Sequence, residues 1–158
     1  MATYSSLIVA NKLLEFARND QQTLTPMQLI KLTYLSHGWM LAINGRPLLD
    51  EAIEAWQYGP VIPELYQAVR AFKSQPVTSI PVLPGVLQMS PDDESLIKEV
   101  YDVYGKYDGL VLSALTHQPN TPWDIVWRSN GRSATISNDL IENHFRSLAS
   151  ETDVAEAS

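Results

Sequence analysis

The chain has 158 residues, of which 45% are apolar and 18% charged, a balance typical of a globular protein that can bury a sizeable core without a metal or a disulfide. It contains no cysteine, which excludes disulfides, thiolate nucleophiles and cysteine-ligated zinc or iron–sulfur sites. Its formal net charge is −7, and no stretch of the sequence clusters lysine with arginine. An acidic surface repels phosphate backbones, so we expect no nucleic acid partner.

The N-terminal segment lacks the features of a secretory signal. Its apolar run, Leu7 to Ala10, stops at Asn11 and has no basic segment before it. No run in the chain approaches the roughly 18 apolar residues that a membrane span needs. We therefore expect a cytoplasmic protein with no membrane partner.

Helical signals dominate the chain. Residues 4–19 repeat apolar side chains at helical spacing. Further helices are predicted where a capping side chain precedes proline, as at Thr25, Ser90 and Thr121, because proline suits the first helical position. The predicted helices span residues 4–19, 25–42, 63–73, 90–106, 108–116, 121–130 and 137–149.

Strand signals are few and short. Residues 51–58 alternate in polarity, which is typical of a half-buried strand, and residues 77–80 fit a second one inside a proline-rich stretch. The acidic tail, residues 150–158, is expected to be disordered. These signals predict a mainly α (α+β) fold in one domain over residues 1–149, with about seven helices and one or two short β-strands around residues 51–58 and 77–80.

Lys31 lies in a helix that is apolar nearly all round and is therefore expected at the centre of the fold. One interpretation is a catalytic lysine with a depressed pKa. The other is a buried ion pair with one of the acidic residues between positions 50 and 64. We favour the ion pair, because buried charges are normally paired.

The sequence carries no signature of catalysis. The three histidines, His37, His117 and His144, lack the i, i+4 spacing of a helical metal site, although His37 and His117 could still meet in space. There is no Gly-x-Ser-x-Gly nucleophile elbow and no glycine-rich phosphate loop. We predict no catalytic residue, no metal ligand and no cofactor.

The stretch at residues 76–90 is more apolar than a passive linker requires. Such a loop either contacts a partner or docks on the core of its own protein, and both alternatives stay open. The residues concerned are Val77, Ile80, Val82, Leu83, Val86, Leu87 and Met89.

Three ordered blocks resemble the Panacea domain, also called the SocA-like or GepA-like domain. They are Lys31-Leu-Thr-Tyr34-Leu-Ser-His37-Gly38-Trp39, Trp56-Gln-Tyr58-Gly59-Pro60-Val61-Ile-Pro63-Glu-Leu-Tyr66, and Leu115-Thr116-His117 followed by Pro122-Trp123. The second block, with its Gly-Pro-Val run, is the most diagnostic. The blocks lie within about residues 5–130, so the resemblance covers most of the chain.

The resemblance implies an antitoxin of a toxin–antitoxin pair, a class frequent on prophages. The expected partner is a cognate toxin, encoded by the adjacent gene and neutralised by direct protein–protein binding. A branch of the family implies an alternative, a proteolytic adaptor that delivers the toxin to an energy-dependent protease. A third hypothesis is a small hydrolase or metal enzyme built around Lys31, His37 or His117, but the sequence offers no motif for it.

Overall fold

Helix α2, Pro26–Asn44, is the centre of the fold. The computed structural model describes residues 3–82 and 88–157, with side chains described as far as residue 151. Thr25 caps α2 by a complete capping box with Gln28, and Pro26 occupies the first turn. Of the 19 residues in α2, 13 are buried, as its all-round apolar sequence predicts.

Within the described residues, six further helices surround α2 or extend the bundle. Helices α1, α4, α5 and α7 pack directly against it. A single turn of 3₁₀-helix, Arg70–Phe72, follows α3. The ranges are α1 Ser6–Asn19, α3 Pro63–Val69, α4 Pro91–Tyr104, α5 Gly109–Thr116, α6 Pro122–Asn130 and α7 Asn138–Ala157. The mainly helical fold is thus confirmed.

A small antiparallel sheet lies beside the bundle in the order β2-β1-β3. Strand β1 is Ile53–Trp56, β2 is Gly59–Val61 and β3 is Thr135–Ile136. The register pairs Trp56 with Gly59 across a tight hairpin and Ile53 with Ile136 on the other side. The alternating segment at residues 51–58 therefore supplies β1 and the turn after it.

Two sequence predictions need correction. Residues 77–80 form no strand, because Val77 donates its amide hydrogen bond to the carbonyl of Leu24 (2.8 Å) outside any sheet. The remaining strands are β2 and β3 instead. Helix α7 continues past the predicted end near residue 149 through Ala157, so it includes most of the segment that was expected to be a disordered tail.

A buried carboxylate connects the start of α4 to two distant segments. Asp93, 2% exposed, accepts a hydrogen bond from the Tyr4 hydroxyl (2.7 Å) and forms an ion pair with Arg46. Burial alone would raise the pKa of Asp93, but these two partners outweigh it and hold the pKa below its usual value. The charge lies in the first turn of α4, where the helix dipole also favours an anion.

Gly38 allows α7 to approach α2. Phe145 of α7 packs edge-on against Tyr34 and Trp39, with ring centroids 5.9 and 5.2 Å away. A Cβ atom at Gly38 would overlap the Phe145 ring. The glycine is therefore required by the closeness of the two helices.

Gly38→Ala should lower the free energy of unfolding. Helix propensity alone would favour alanine by about 0.5–1 kcal/mol. The overlap with Phe145 should exceed this gain, since overpacking a core costs about 1–3 kcal/mol. Urea unfolding measures the net effect. In a Phe145→Leu background the penalty of Gly38→Ala should shrink, because the two positions are in contact. A stabilised Gly38→Ala protein would contradict this packing.

Candidate functional site

The residues of the first sequence block divide between two environments. Tyr34, Gly38 and Trp39 face α7, and the Trp39 indole donates a hydrogen bond to the Tyr104 hydroxyl (3.2 Å). His37 lies in the same region. These contacts hold helices together, which gives this half of the block a structural role.

His37 is held as a neutral ring. Its Nδ1 accepts hydrogen bonds from the amides of Leu48 (3.3 Å) and Leu49 (3.2 Å), so the proton must be on Nε2, which lies 2.9 Å from Asn138 Oδ1. Burial lowers the pKa of His37, in keeping with a neutral ring. His37 and His117 lie in different clusters and do not meet. Among residues 3–82 and 88–151, no group of three histidine, aspartate or glutamate side chains could hold a metal ion.

Lys31 points from α2 to strand β2. It is fully buried, and its Nζ donates a hydrogen bond to the carbonyl of Pro60 (2.8 Å). Gly59 lies directly over the amine: a Cβ there would come within 2.9 Å of Lys31 Nζ and 3.2 Å of Thr116 Oγ1. Gly59 also has a φ of +116°, which side chains rarely adopt. The Gly-Pro pair is thus shaped around Lys31.

The predicted ion pair of Lys31 is wrong. No carboxylate of the described residues lies within 4.0 Å of its amine. The nearby acidic residues have other partners: Glu51 accepts from the Ser6 amide at the start of α1 (3.1 Å), and Glu54 accepts from the Trp56 indole (2.9 Å). Because no anion compensates its desolvation, burial lowers the pKa of Lys31 from 10.5 to about 7.

The second and third sequence blocks meet around the β1–β2 hairpin. The Trp123 indole donates to the carbonyl of Trp56 (2.6 Å), and His117 packs edge-on against Trp123 at 5.2 Å. Trp56 packs edge-on against Tyr66, with ring centroids 4.9 Å apart. Residues far apart in the sequence therefore converge on one hairpin. The remaining members of the blocks are placed locally, with Val61 buried in β2, Pro63 at the first turn of α3, and Thr116 donating to the Leu112 carbonyl.

A cavity of about 650 Å³ opens beside this hairpin. Its wall combines aromatic rings with cationic side chains, and the chemistry-bearing members are Lys31, Trp56, Tyr58, Tyr66, Arg70, Lys73 and Arg132. Sequence reasoning identified several of the rings through the motif blocks. It missed Arg70, Lys73 and Arg132, since they are separated in the chain and only the fold brings them together.

Helix α5 carries an exposed apolar face. Leu110 is 81% exposed, and Val111 and Leu115 are also exposed, while Leu112 on the opposite side is fully buried. The α5 apolar face, defined by Leu110, Val111 and Leu115, adjoins the hairpin, because Ser113 donates to the carbonyl of Tyr58 (2.6 Å). A sequence signal was present: in an eight-residue helix with five Val, Leu or Ala residues, not all can be buried.

The apolar loop at residues 76–90, for which contact with a partner and docking on its own core were both open, packs mainly on the protein itself as far as it is described. Val77 and Ile80 are buried, and Met89 packs against the core. Val82 is exposed. The other three positions, Leu83, Val86 and Leu87, lie outside the described residues.

Among the described helices, none is long and apolar enough to cross a lipid bilayer.

Lys31→Met should change how stability depends on pH. Between about pH 7 and 10.5 the folded amine is neutral while the unfolded one is protonated, so unfolding takes up a proton. The contribution of Lys31 to stability is therefore complete above 10.5 and is lost as the pH falls towards 7. Relative to Lys31→Met, the wild type should gain up to about 1.4 kcal/mol per pH unit between about pH 7.5 and about 9.

Denaturant unfolding at both pH values measures this difference. Lys12→Met is the matched control, because Lys12 is paired with Glu15 and Glu94 and its pKa is raised, so it stays protonated throughout this range. Parallel pH curves for wild type and Lys31→Met would show that Lys31 is not buried as a neutral amine.

Comparison with known proteins accords with the resemblance seen in the motif blocks. The profile of the family described as "Antitoxin SocA-like, Panacea domain" matches residues 29–124, more than half of the chain. Antitoxin SocA of Caulobacter vibrioides (strain NA1000 / CB15N) is 28% identical over 151 residues, covering 87% of this chain and 80% of that protein. No solved structure matches it. All three sequence blocks lie within the matched span, and the chain belongs to the SocA-like antitoxin family of Panacea-domain proteins.

Proposed function

We propose that this protein is an antitoxin that neutralises a cognate toxin by direct protein–protein binding. Family membership supports the antitoxin role, and the relative from Caulobacter vibrioides is itself named as an antitoxin. The binding mode is supported by one structural observation: the α5 apolar face is exposed, whereas Leu112, Ser113 and Thr116 of the same helix are buried. The toxin is expected to be encoded by the adjacent gene.

The α5 apolar face has the character of an interface centre. Exposing a leucine to 81% gives up most of the roughly 1.5–3 kcal/mol that its burial would supply. A few such side chains commonly dominate the affinity of an interface. Tyr58, 60% exposed beside the same hairpin, extends this face with an aromatic ring. A standard interface of about 1,200–2,000 Å² in total would need further contacts around it.

The charge of the chain favours a basic toxin. A net charge of −7 gives an acidic field that speeds encounter with a partner of the opposite sign. The exposed Val82 and the adjoining residues 83–89 stay a proposal for additional contact, whereas Val77 and Ile80 are buried in the described structure. In this proposal the protein is a binding protein of the cytoplasm and has no catalytic activity.

Leu110→Asp should abolish or strongly weaken toxin neutralisation. A charge placed at the centre of a desolvated interface commonly costs 2 kcal/mol or more, which is about 30-fold in affinity. Because Leu110 is exposed, the substitution should leave the thermal melt unchanged. Growth rescue during co-expression with the adjacent-gene toxin, together with co-elution on a sizing column, measures the effect.

Ile43→Asp is the matched control. Ile43 is 59% exposed but lies at the other end of α2, about 24 Å along the helix from Met27, beside which α5 begins. This variant should neutralise the toxin like wild type. Equal behaviour of the two variants would remove α5 from the interface.

Co-expression in hosts with and without their main energy-dependent proteases separates direct neutralisation from the adaptor alternative. Rescue in both hosts supports direct binding. Rescue only where the protease is present assigns the protein to the adaptor class. Absence of rescue in both, with the two proteins eluting separately, would reject the antitoxin proposal for that pair.

A further inference from the structure

The cavity beside the β1–β2 hairpin gathers positive charge on an acidic protein. Four of the eleven lysine and arginine residues line it: the exposed Arg70, Lys73 and Arg132, which supply the positive charge, and the buried amine of Lys31, which already donates to the Pro60 carbonyl. None of the described residues that line it is acidic. On a chain with a net charge of −7, this concentration of one sign in one cavity indicates an anionic occupant.

The pairing of the basic residues differs inside and outside the cavity. Outside it, every basic side chain has a partner: five form ion pairs, Arg18 donates to the Thr78 carbonyl, and Lys106 lies over the Tyr107 ring. In the cavity, Arg70, Lys73 and Arg132 are exposed, and within the described part of the chain none of their side chains contacts a carboxylate or donates a hydrogen bond. Their hydrogen-bond capacity is therefore available to a ligand.

The cavity rim also contains unusual backbone. Lys73 and Ser133 have positive φ angles, +57° and +65°, which non-glycine residues seldom adopt. Both line the cavity, and Ser133 directly follows Arg132. Sparsely populated backbone conformations cluster at ligand clamps, where the surrounding structure maintains them. The side chains of Lys73 and Arg132 therefore project from backbone segments that include a sparsely populated φ angle.

Aromatic rings form the other wall. Trp56 and Tyr66 pack edge-on at 4.9 Å, and Tyr58 leaves 60% of its surface exposed. Aromatic faces are good stacking surfaces for a planar ring of a ligand. At about 650 Å³, the cavity also falls within the usual range for small-molecule and cofactor sites.

We propose that this cavity binds a nucleoside phosphate, with the phosphate held by Arg70, Lys73 and Arg132 and the base lying against the aromatic wall. A dianionic phosphate uses several cations together, and the arginine fork matches its oxygens in bidentate geometry. A single-stranded nucleic acid is disfavoured, because the acidic surface outside the cavity would repel the continuing backbone. Tyr58 belongs both to this cavity and to the surface proposed for toxin binding, whereas the cations Arg70, Lys73 and Arg132 lie outside the α5 apolar face, so the two proposals can be tested with different variants.

Isothermal titration calorimetry of the full chain with AMP, GMP, CMP and UMP tests the proposal. At least one nucleotide should bind with a stoichiometry near one and quench the fluorescence of Trp56. The matching nucleoside, such as adenosine, and inorganic phosphate should each bind at least about tenfold more weakly than the nucleotide. The nucleoside lacks the phosphate that the cations hold, and inorganic phosphate lacks the base that lies against the aromatic wall. No detectable heat with any of the nucleotides at millimolar concentration would overturn the proposal, as would a nucleoside or phosphate that binds equally well.

Arg70→Glu combined with Lys73→Glu locates the site. Both side chains are exposed, so the melting temperature of the free protein should be unchanged, while nucleotide affinity should fall by at least about tenfold for the loss of one charged hydrogen bond. Lys106→Glu is the control, because it changes an exposed cation outside the cavity. Wild-type affinity in the double variant, or an equal loss in the control, would overturn the assignment to this cavity. Neutralisation of the toxin by the double variant would be tested separately, so failure here is distinguishable from failure of the antitoxin proposal.

Discussion

The hydrogen bond from Lys31 to the carbonyl of Pro60 is the constraint around which the hairpin region is organised. It joins the most buried helix to strand β2, with 2.8 Å between nitrogen and oxygen. The amine has no described carboxylate partner, and burial lowers its pKa to about 7. Above that pH the amine that donates this bond is therefore mostly neutral. Glycine suits position 59 because a Cβ there would come within 2.9 Å of this amine and because its φ is +116°.

Several neighbours depend on that placement. With Gly59 and Pro60 fixed, the Tyr58 carbonyl is positioned to accept from Ser113 of α5, and the Trp56 carbonyl to accept from Trp123 of α6. A hairpin of two very short strands is marginal alone, because it has few cross-strand pairs. Here it is supported by helix side chains that satisfy its carbonyls. The same hairpin then supports both the cavity wall and the base of α5.

The sequence predicted local structure well and long-range partners poorly. Helix starts at Thr25, Ser90 and Thr121 were predictable because a cap and the following proline act within one turn, and all three cap as expected. The all-round apolar pattern of α2 likewise indicated its central position. The partner of Lys31 was not predictable, because buried lysine has two ways to be satisfied and the local pattern does not distinguish a carboxylate from a backbone carbonyl. The acidic residues near it had partners of their own that no local pattern reveals.

The cavity shows why a chain can hold a positive site that its composition conceals. Net charge and the search for basic runs both average over the sequence, whereas Arg70 begins a 3₁₀ turn, Lys73 follows that turn, and Arg132 follows α6. The fold brings these separated segments together and directs the carboxylates elsewhere, several of them into ion pairs with the other basic residues. Within one Debye length, about 10 Å, the potential inside the cavity is dominated by nearby charges, which include the lining cations and the carboxylate of Glu54 bonded to the Trp56 indole, rather than by the total of the chain. An acidic surface and a cationic cavity are therefore compatible in one protein, and the two can recognise partners of opposite charge.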